Sequence, residues 1–150
     1  MLKSGDLMFL GEYRHTIDNK GRLIIPARFR ELLGEKFVIT KGLDNCLFVY
    51  PEAEWGRIAM KLQDLPFTRE DARAFTRLFL AGACESEVDG QGRTLLPLNL
   101  RHFAGMSKDV CLIGVGSRFE IWDMDRWGNY TQRSEREFGD IANKMADLGI

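Results

Sequence analysis

Two short stretches of this 150-residue chain hold the side chains best suited to chemistry. Asp18-Asn19-Lys20-Gly21-Arg22 sits in "IDNKGRLIIP", and Asp89-Gly90-Gln91-Gly92-Arg93 in "VDGQGRTLLP". Each reads Asp, two intervening residues, Gly and Arg, with Pro26 or Pro97 following. Arginine offers a planar fork of donors that matches phosphate oxygens or the O6/N7 edge of guanine. Lys20 adds a point charge at the turn tip, and Gly21 is free to take a positive φ. Asp18 and Asp89 are best suited to accept backbone N–H bonds and tighten the turn. Arg22 and Arg93, four residues on, suit either pairing with those carboxylates or projection toward a ligand. The sequence leaves both roles open.

The two stretches have different surroundings. Arg14 and His15 precede the first, and Arg28 and Arg30 follow it, giving a basic cluster. At the second, Gln91 stands for Lys20, and Glu85 and Glu87 stand for Arg14 and Thr16. Residues 1–62 carry ten Lys and Arg against eight Asp and Glu, whereas residues 82–150 carry eight against eleven. An anionic partner is therefore expected to prefer the first half, with Arg14, Lys20 and Arg22 leading and Arg93 secondary.

Catalysis fits poorly. Paired Asp residues suggest an acid dyad sharing one proton, but a neighbouring Arg would hold each carboxylate ionised. His15 and His102 fall at non-equivalent positions, and "GVGS" (Gly114–Ser117) reads as a hairpin turn rather than a phosphate loop. Cys46, Cys84 and Cys111 form no CxxC pair and sit among apolar residues. They read as buried free thiols in a reducing cytoplasm, with no metal and no cofactor. The N-terminus lacks the apolar stretch of a secretory signal, and no apolar run suits a membrane span.

Sliding the chain on itself shows what must position the two motifs. At an offset of 71, Asp18 meets Asp89, and Gly21, Arg22, Pro26, Arg30 and Gly34 meet Gly92, Arg93, Pro97, Arg101 and Gly105. One inserted residue shifts the offset to 72, where Val38 meets Val110, Tyr50 meets Trp122 and Trp55 meets Trp127. A unit of about fifty residues is used twice. Each unit reads as a strand, a tight turn and a return strand forming a β-hairpin, then a Pro-started short helix, two apolar strands and an amphipathic helix.

A hairpin with one short helix cannot bury its own apolar face, so the two units should pool their strands. The expected fold is α+β: two pseudo-symmetric hairpin/helix repeats forming one barrel-like sheet with flanking helices. The expected division is an N-terminal extension at 1–10, repeats at 11–64 and 82–138, a connecting helix at 65–81, and a fraying tail at 139–150. Thr68 is the expected cap of the connecting helix, with Ala72, Phe75, Leu78 and Phe79 as its apolar stripe.

The runs "DNKGR…P.RFRE.LG" and "DGQGR…P..LR..AG" resemble the MraZ family, built from two SpoVT-AbrB-like units that each carry a DxxxR motif. The likeness extends from "MFLGEYRHTIDNKGR" through "FEIWDMDRW". It implies a nucleoid-associated, cytoplasmic transcriptional regulator acting on the promoter of the division and cell-wall gene cluster. It also implies a ring-shaped homo-oligomer and a DNA-binding loop that falls on Lys20 and Arg22, with Arg93 in the second motif. Double-stranded DNA with short direct repeats, and further copies of the chain, are the partners that follow. Family members start near "MFLG", which marks residues 1–7 as an extension or a different start. The competing reading is an assembly module without sequence-specific DNA binding, its interfaces built from Trp55, Trp122, Trp127, Phe48, Tyr50 and Phe119.

Overall fold

The structure, a computed structural model, describes residues 8–150. The first part of the extension expected at 1–10 thus lies outside the described residues. The first unit runs β1 (Glu12–Thr16), β2 (Arg22–Ile24), α1 (Ala27–Leu33), β3 (Lys36–Lys41), β4 (Leu47–Pro51) and α2 (Glu52–Gln63). After α3 (Glu70–Ala81) the same order returns as β5 (Cys84–Glu87), β6 (Arg93–Leu95), α4 (Leu98–Phe103), β7 (Asp109–Gly114), β8 (Phe119–Asp123) and α5 (Met124–Arg136). The chain then continues through α6 (Phe138–Met145) and a 3-10 turn, Ala146–Leu148.

Six strands form one antiparallel sheet in the order β1-β7-β8-β4-β3-β5. The four inner strands are nearly continuous apolar runs because both faces of the sheet are covered. The edge strands β1 and β5 alternate between exposed and half-buried residues. One face carries Phe37, Ile39, Val49, Leu112, Phe119 and Ile121, packed under the ribbon residues Leu23 and Ile25 with Phe29 of α1 and Leu100 of α4. Phe29 stacks on Phe119 with centroids 4.7 Å apart. The other face carries Phe48, Tyr50, Cys111 and Trp122 under α2, α3 and α5.

Two expectations about the strands need correction. β1 and β2 do not form a hairpin ladder; an isolated bridge between Ile17 and Leu23 joins them. Pro26 starts the helix so soon that β2 has three residues, too few to hold β1. β1 instead lies along β7 of the other unit, with five paired residues, and β5 lies along β3. β2 pairs with its own pseudo-symmetric counterpart, β6, in a separate two-stranded ribbon. The main sheet is also not closed into a barrel: β1 and β5 are its two edges, and the ribbon is a second sheet.

Smaller corrections follow from local geometry. Arg69, not Thr68, occupies the N-cap of α3, without a side-chain cap bond. Asp71 binds Arg69 Nε at 3.0 Å and the Ala72 N–H at 2.8 Å instead. On that helix Phe79 is buried, while Phe75 and Leu78 are exposed. Cys46 and Cys111 are buried thiols, but Cys84, on the edge strand β5, is half-buried. Burial, aided by the Glu12 carboxylate, pushes the Cys111 thiol up to about 12. Phe48, Tyr50, Phe119 and Trp122 are core residues, and Trp55 and Trp127 pack against that core. In the tail, Phe138–Met145 is helical, with Phe138, Ile141 and Met145 at helical spacing, and Ala146–Leu148 forms the 3-10 turn.

Candidate nucleic-acid interface

The turn between β1 and β2 is organised by one carboxylate. Asp18 Oδ1 accepts from the backbone N–H of Lys20 at 2.9 Å and of Arg22 at 2.8 Å. Asp18 Oδ2 accepts from Arg22 Nε at 2.8 Å. The Gly21 N–H donates to the Asp18 carbonyl at 2.9 Å, which the chain reaches because Gly21 has φ +83°. The second turn repeats this bond for bond. Asp89 Oδ1 accepts from the N–H groups of Gln91 and Arg93, each at 2.9 Å, and Oδ2 from Arg93 Nε at 2.8 Å. Gly92 has φ +78°.

These bonds hold both carboxylates below the usual range. The backbone N–H of Arg22 is the main cause at Asp18, and that of Arg93 at Asp89. Each Asp is therefore ionised and satisfied inside its own turn, which suits a brace and opposes proton sharing. Of the two roles open to Arg22 and Arg93, the pairing role is present in both. It uses Nε alone and fixes each guanidinium plane, leaving the terminal nitrogens without an acceptor among the described residues.

The ribbon sets where those guanidinium groups stand. Arg22 lies opposite Leu95, Leu23 opposite Thr94, and Ile24 opposite Arg93. Directly opposed residues share a face. Leu23 and Thr94 therefore point inward, both buried, while Arg22, Ile24, Arg93 and Leu95 form the outward face. Ile24 and Leu95, at the ends of their strands, are 45% and 57% exposed, so the outward face carries aliphatic as well as charged side chains. Lys20 is exposed at one tip, and Gln91 is its counterpart at the other.

Each turn is backed by an arginine from the other unit. A Cβ on Gly21 would lie 2.9 Å from Arg101 Nη2, and one on Gly92 would lie 2.5 Å from Arg30 Nη1. Arg101 Nε donates to the Leu96 carbonyl at 2.9 Å, and Arg30 Nη1 donates to the Ile25 carbonyl. The backbone is exchanged as well: the Ile25 N–H donates to the Gly92 carbonyl and the Leu96 N–H to the Gly21 carbonyl, each at 2.9 Å. The glycines thus admit both the turn and the crossing arginine.

Sequence reasoning grouped Arg14 with the first loop, and the structure separates them. Arg14 pairs across the ladder with Cys111, on the sheet face away from the ribbon. Glu85 and Glu87 alternate with Cys84 along β5 and border a cavity with Thr94, Leu95 and Pro97 beside the ribbon. Ile24, Leu95 and Arg101 complete the candidate interface without a role assigned from sequence, and Arg30, expected in the basic cluster of the first loop, backs the second turn instead. The one signal for Arg101 was its match to Arg30 in the repeat.

An open sheet crossed by a pseudo-symmetric ribbon with an Asp-braced arginine at each end defines a duplicated loop-and-ribbon protein. The family model for the MraZ protein matches the chain twice, over residues 8–78 and 79–148. A 143-residue relative from Moorella thermoacetica, "Transcriptional regulator MraZ", is 59% identical over 95% of this chain and all of its own length. Relatives of the same name from Syntrophomonas wolfei subsp. wolfei and Thermoanaerobacter sp. are 55% and 59% identical over the same shares. The chain belongs to the MraZ family.

Proposed function

We propose that the chain is a transcriptional regulator that binds double-stranded DNA sequence-specifically through the outward face of the β2–β6 ribbon and its two turns. The relatives named above as transcriptional regulators support the regulatory role. The observation that carries the DNA reading is the pairing of two braced arginines with two exposed aliphatic residues on one ribbon face. A two-stranded ribbon fits the major groove, where guanine takes an arginine fork and the thymine methyl takes an apolar contact. Asp18 and Asp89 then act as orienting groups, and Lys20 as a phosphate contact.

A net charge of −1 gives one copy little general attraction for DNA. Several copies on adjacent direct repeats would multiply modest contacts. The functional unit is accordingly a homo-oligomeric ring, acting in the cytoplasm with the nucleoid. Its target is the promoter of the division and cell-wall gene cluster, as the family resemblance implies.

The test is a gel-shift titration on the DNA upstream of the chain's own gene and on a scrambled duplex, at two salt concentrations. The reading expects tighter binding to the promoter at both salts and loss of that preference in Arg22→Ala. Equal binding to both duplexes, or no binding by an assembled oligomer, would favour the assembly module instead.

A further inference from the structure

The segment after α5 has the pattern of a packed helix, yet its apolar face is largely uncovered among the described residues. Phe138, Ile141, Met145 and Leu148 repeat along one helical face. From 135 to 150, Met145 alone is half-buried, and Phe138 and Leu148 are 68% and 72% exposed. The other unit behaves differently at the corresponding place. There the chain turns after α2 into α3, which buries Phe79 against Phe48, Tyr50 and Trp55. The first unit seats its trailing helix, and the second leaves its own unseated.

A complementary surface lies between the end of α2 and the start of α3. A cleft of about 220 Å³ is lined by Leu62, Leu65, Pro66 and Phe67 and by Arg73 and Arg77, of which Arg73 donates to the Phe67 carbonyl at 3.0 Å. Phe67 is 80% exposed. The unseated segment brings the opposite charge: residues 135–150 hold Glu135, Glu137, Asp140 and Asp147 against Arg136 and Lys144.

We propose that α6 of one copy seats in the α2–α3 cleft of a second copy. Phe138 and Ile141 supply the apolar contact, and Glu137 and Asp140 face Arg73 and Arg77. Donor helix and acceptor cleft are different surfaces, so each copy offers one of each, and the head-to-tail contact repeats until it closes. This inference rests on the homo-oligomer in the proposed function and names the surfaces that build it.

The experiment uses the full chain and light scattering at micromolar concentration. Phe138→Asp spoils the donor and Phe67→Asp the acceptor. Both positions are exposed, so far-UV circular dichroism should stay unchanged in each variant. Each variant alone should fall to the 17.2 kDa monomer. Mixed one to one, they should form a dimer that grows no further, because one intact helix meets one intact cleft. A wild-type oligomer whose size survives both substitutions overturns this interface and leaves the ring reading standing. A wild-type monomer overturns the ring reading and this inference with it. A wild-type dimer that both variants break supports the seat and overturns the ring.

Discussion

In the first turn Asp18 takes the N–H groups of Lys20 and Arg22 and the side chain of Arg22; in the second, Asp89 takes the same three donors from Gln91 and Arg93. The frames agree, and the differences sit at the tips, where Asn19 and Lys20 face Gly90 and Gln91. Of the wider charge difference, Arg14 stands on the other face of the sheet, whereas Glu85 and Glu87 border a cavity with Thr94 and Leu95 of the ribbon. Duplication has thus kept the bonds that shape the turn and relaxed the residues that meet solvent. The arginine frame belongs to both units equally, and at the tips one lysine separates them.

The largest effect expected from this comparison is on DNA affinity. Arg22→Ala should cost about 1–3 kcal/mol for each lost bidentate base contact and blur any preference for guanine. Arg93→Ala should cost less, because no lysine stands beside it to hold the turn on phosphate. Titrating both variants on the same promoter at one salt concentration makes the comparison. Equal losses from oligomers of unchanged size would mean that the arginines alone carry binding and the tips do not matter.

Next in size is the cost of filling the turn glycines. At positive φ a Cβ is worth about 1–2 kcal/mol of strain. Gly92→Ala should exceed Gly21→Ala, since its Cβ would stand 2.5 Å from Arg30 Nη1 against 2.9 Å from Arg101 Nη2. Urea unfolding of the two variants gives the difference. If Gly21→Ala is the more damaging, the arginine backing is looser at the second turn than the geometry indicates.

The repeat and the turns were legible in the sequence because they are local. Asp, Gly and Arg at fixed spacing dictate a braced turn whatever lies around it, and the offset of 71 shows that there are two. The apolar runs of β3, β4, β7 and β8 likewise announce strands. Strand partners were not legible. A three-residue strand such as β2 carries no register, and its symmetric mate lies 71 residues away, so the reading defaulted to the nearest strand. From that one error came the misplacement of Arg14, since a hairpin would have set β1 beside β2. The outward role of Ile24 and Leu95 also depends on the β2–β6 register, because nothing within the apolar runs Leu23-Ile24-Ile25 and Leu95-Leu96 marks which residue faces outward.

A third contrast lies beneath the ribbon. Leu23 and Thr94 face each other on the pseudo-symmetry axis, both buried, and the Thr94 hydroxyl has no hydrogen-bond partner among the described residues. A buried hydroxyl without a partner carries its full desolvation penalty. Thr94→Val should stabilise the fold by about 1 kcal/mol, with DNA binding unchanged. Leu23→Thr should destabilise it, since it would add a second such hydroxyl and remove apolar volume. Denaturant midpoints decide the matter, and a destabilised Thr94→Val would mean that the hydroxyl is satisfied in solution.

The smallest effect concerns pH, and it tests whether the two braces are as alike as their distances. Both carboxyls titrate below their ordinary value of 3.8 in the folded chain, chiefly through the N–H groups of Arg22 and Arg93. A group whose pKa is lowered by folding stabilises the fold above its unfolded value, and that contribution fades as pH falls through the folded one. Asp18→Asn and Asp89→Asn should each be less stable than wild type at pH 7. The gap should close in acid once the wild-type carboxyl is protonated. Both groups are open to solvent, so the change is small and best followed directly by NMR of the two carboxyl carbons. Lowered and closely matched midpoints would support a shared brace. A midpoint at or above 3.8 for either residue would show that its arginine leaves the carboxylate in solution, and the likeness of the two turns would then be one of shape alone.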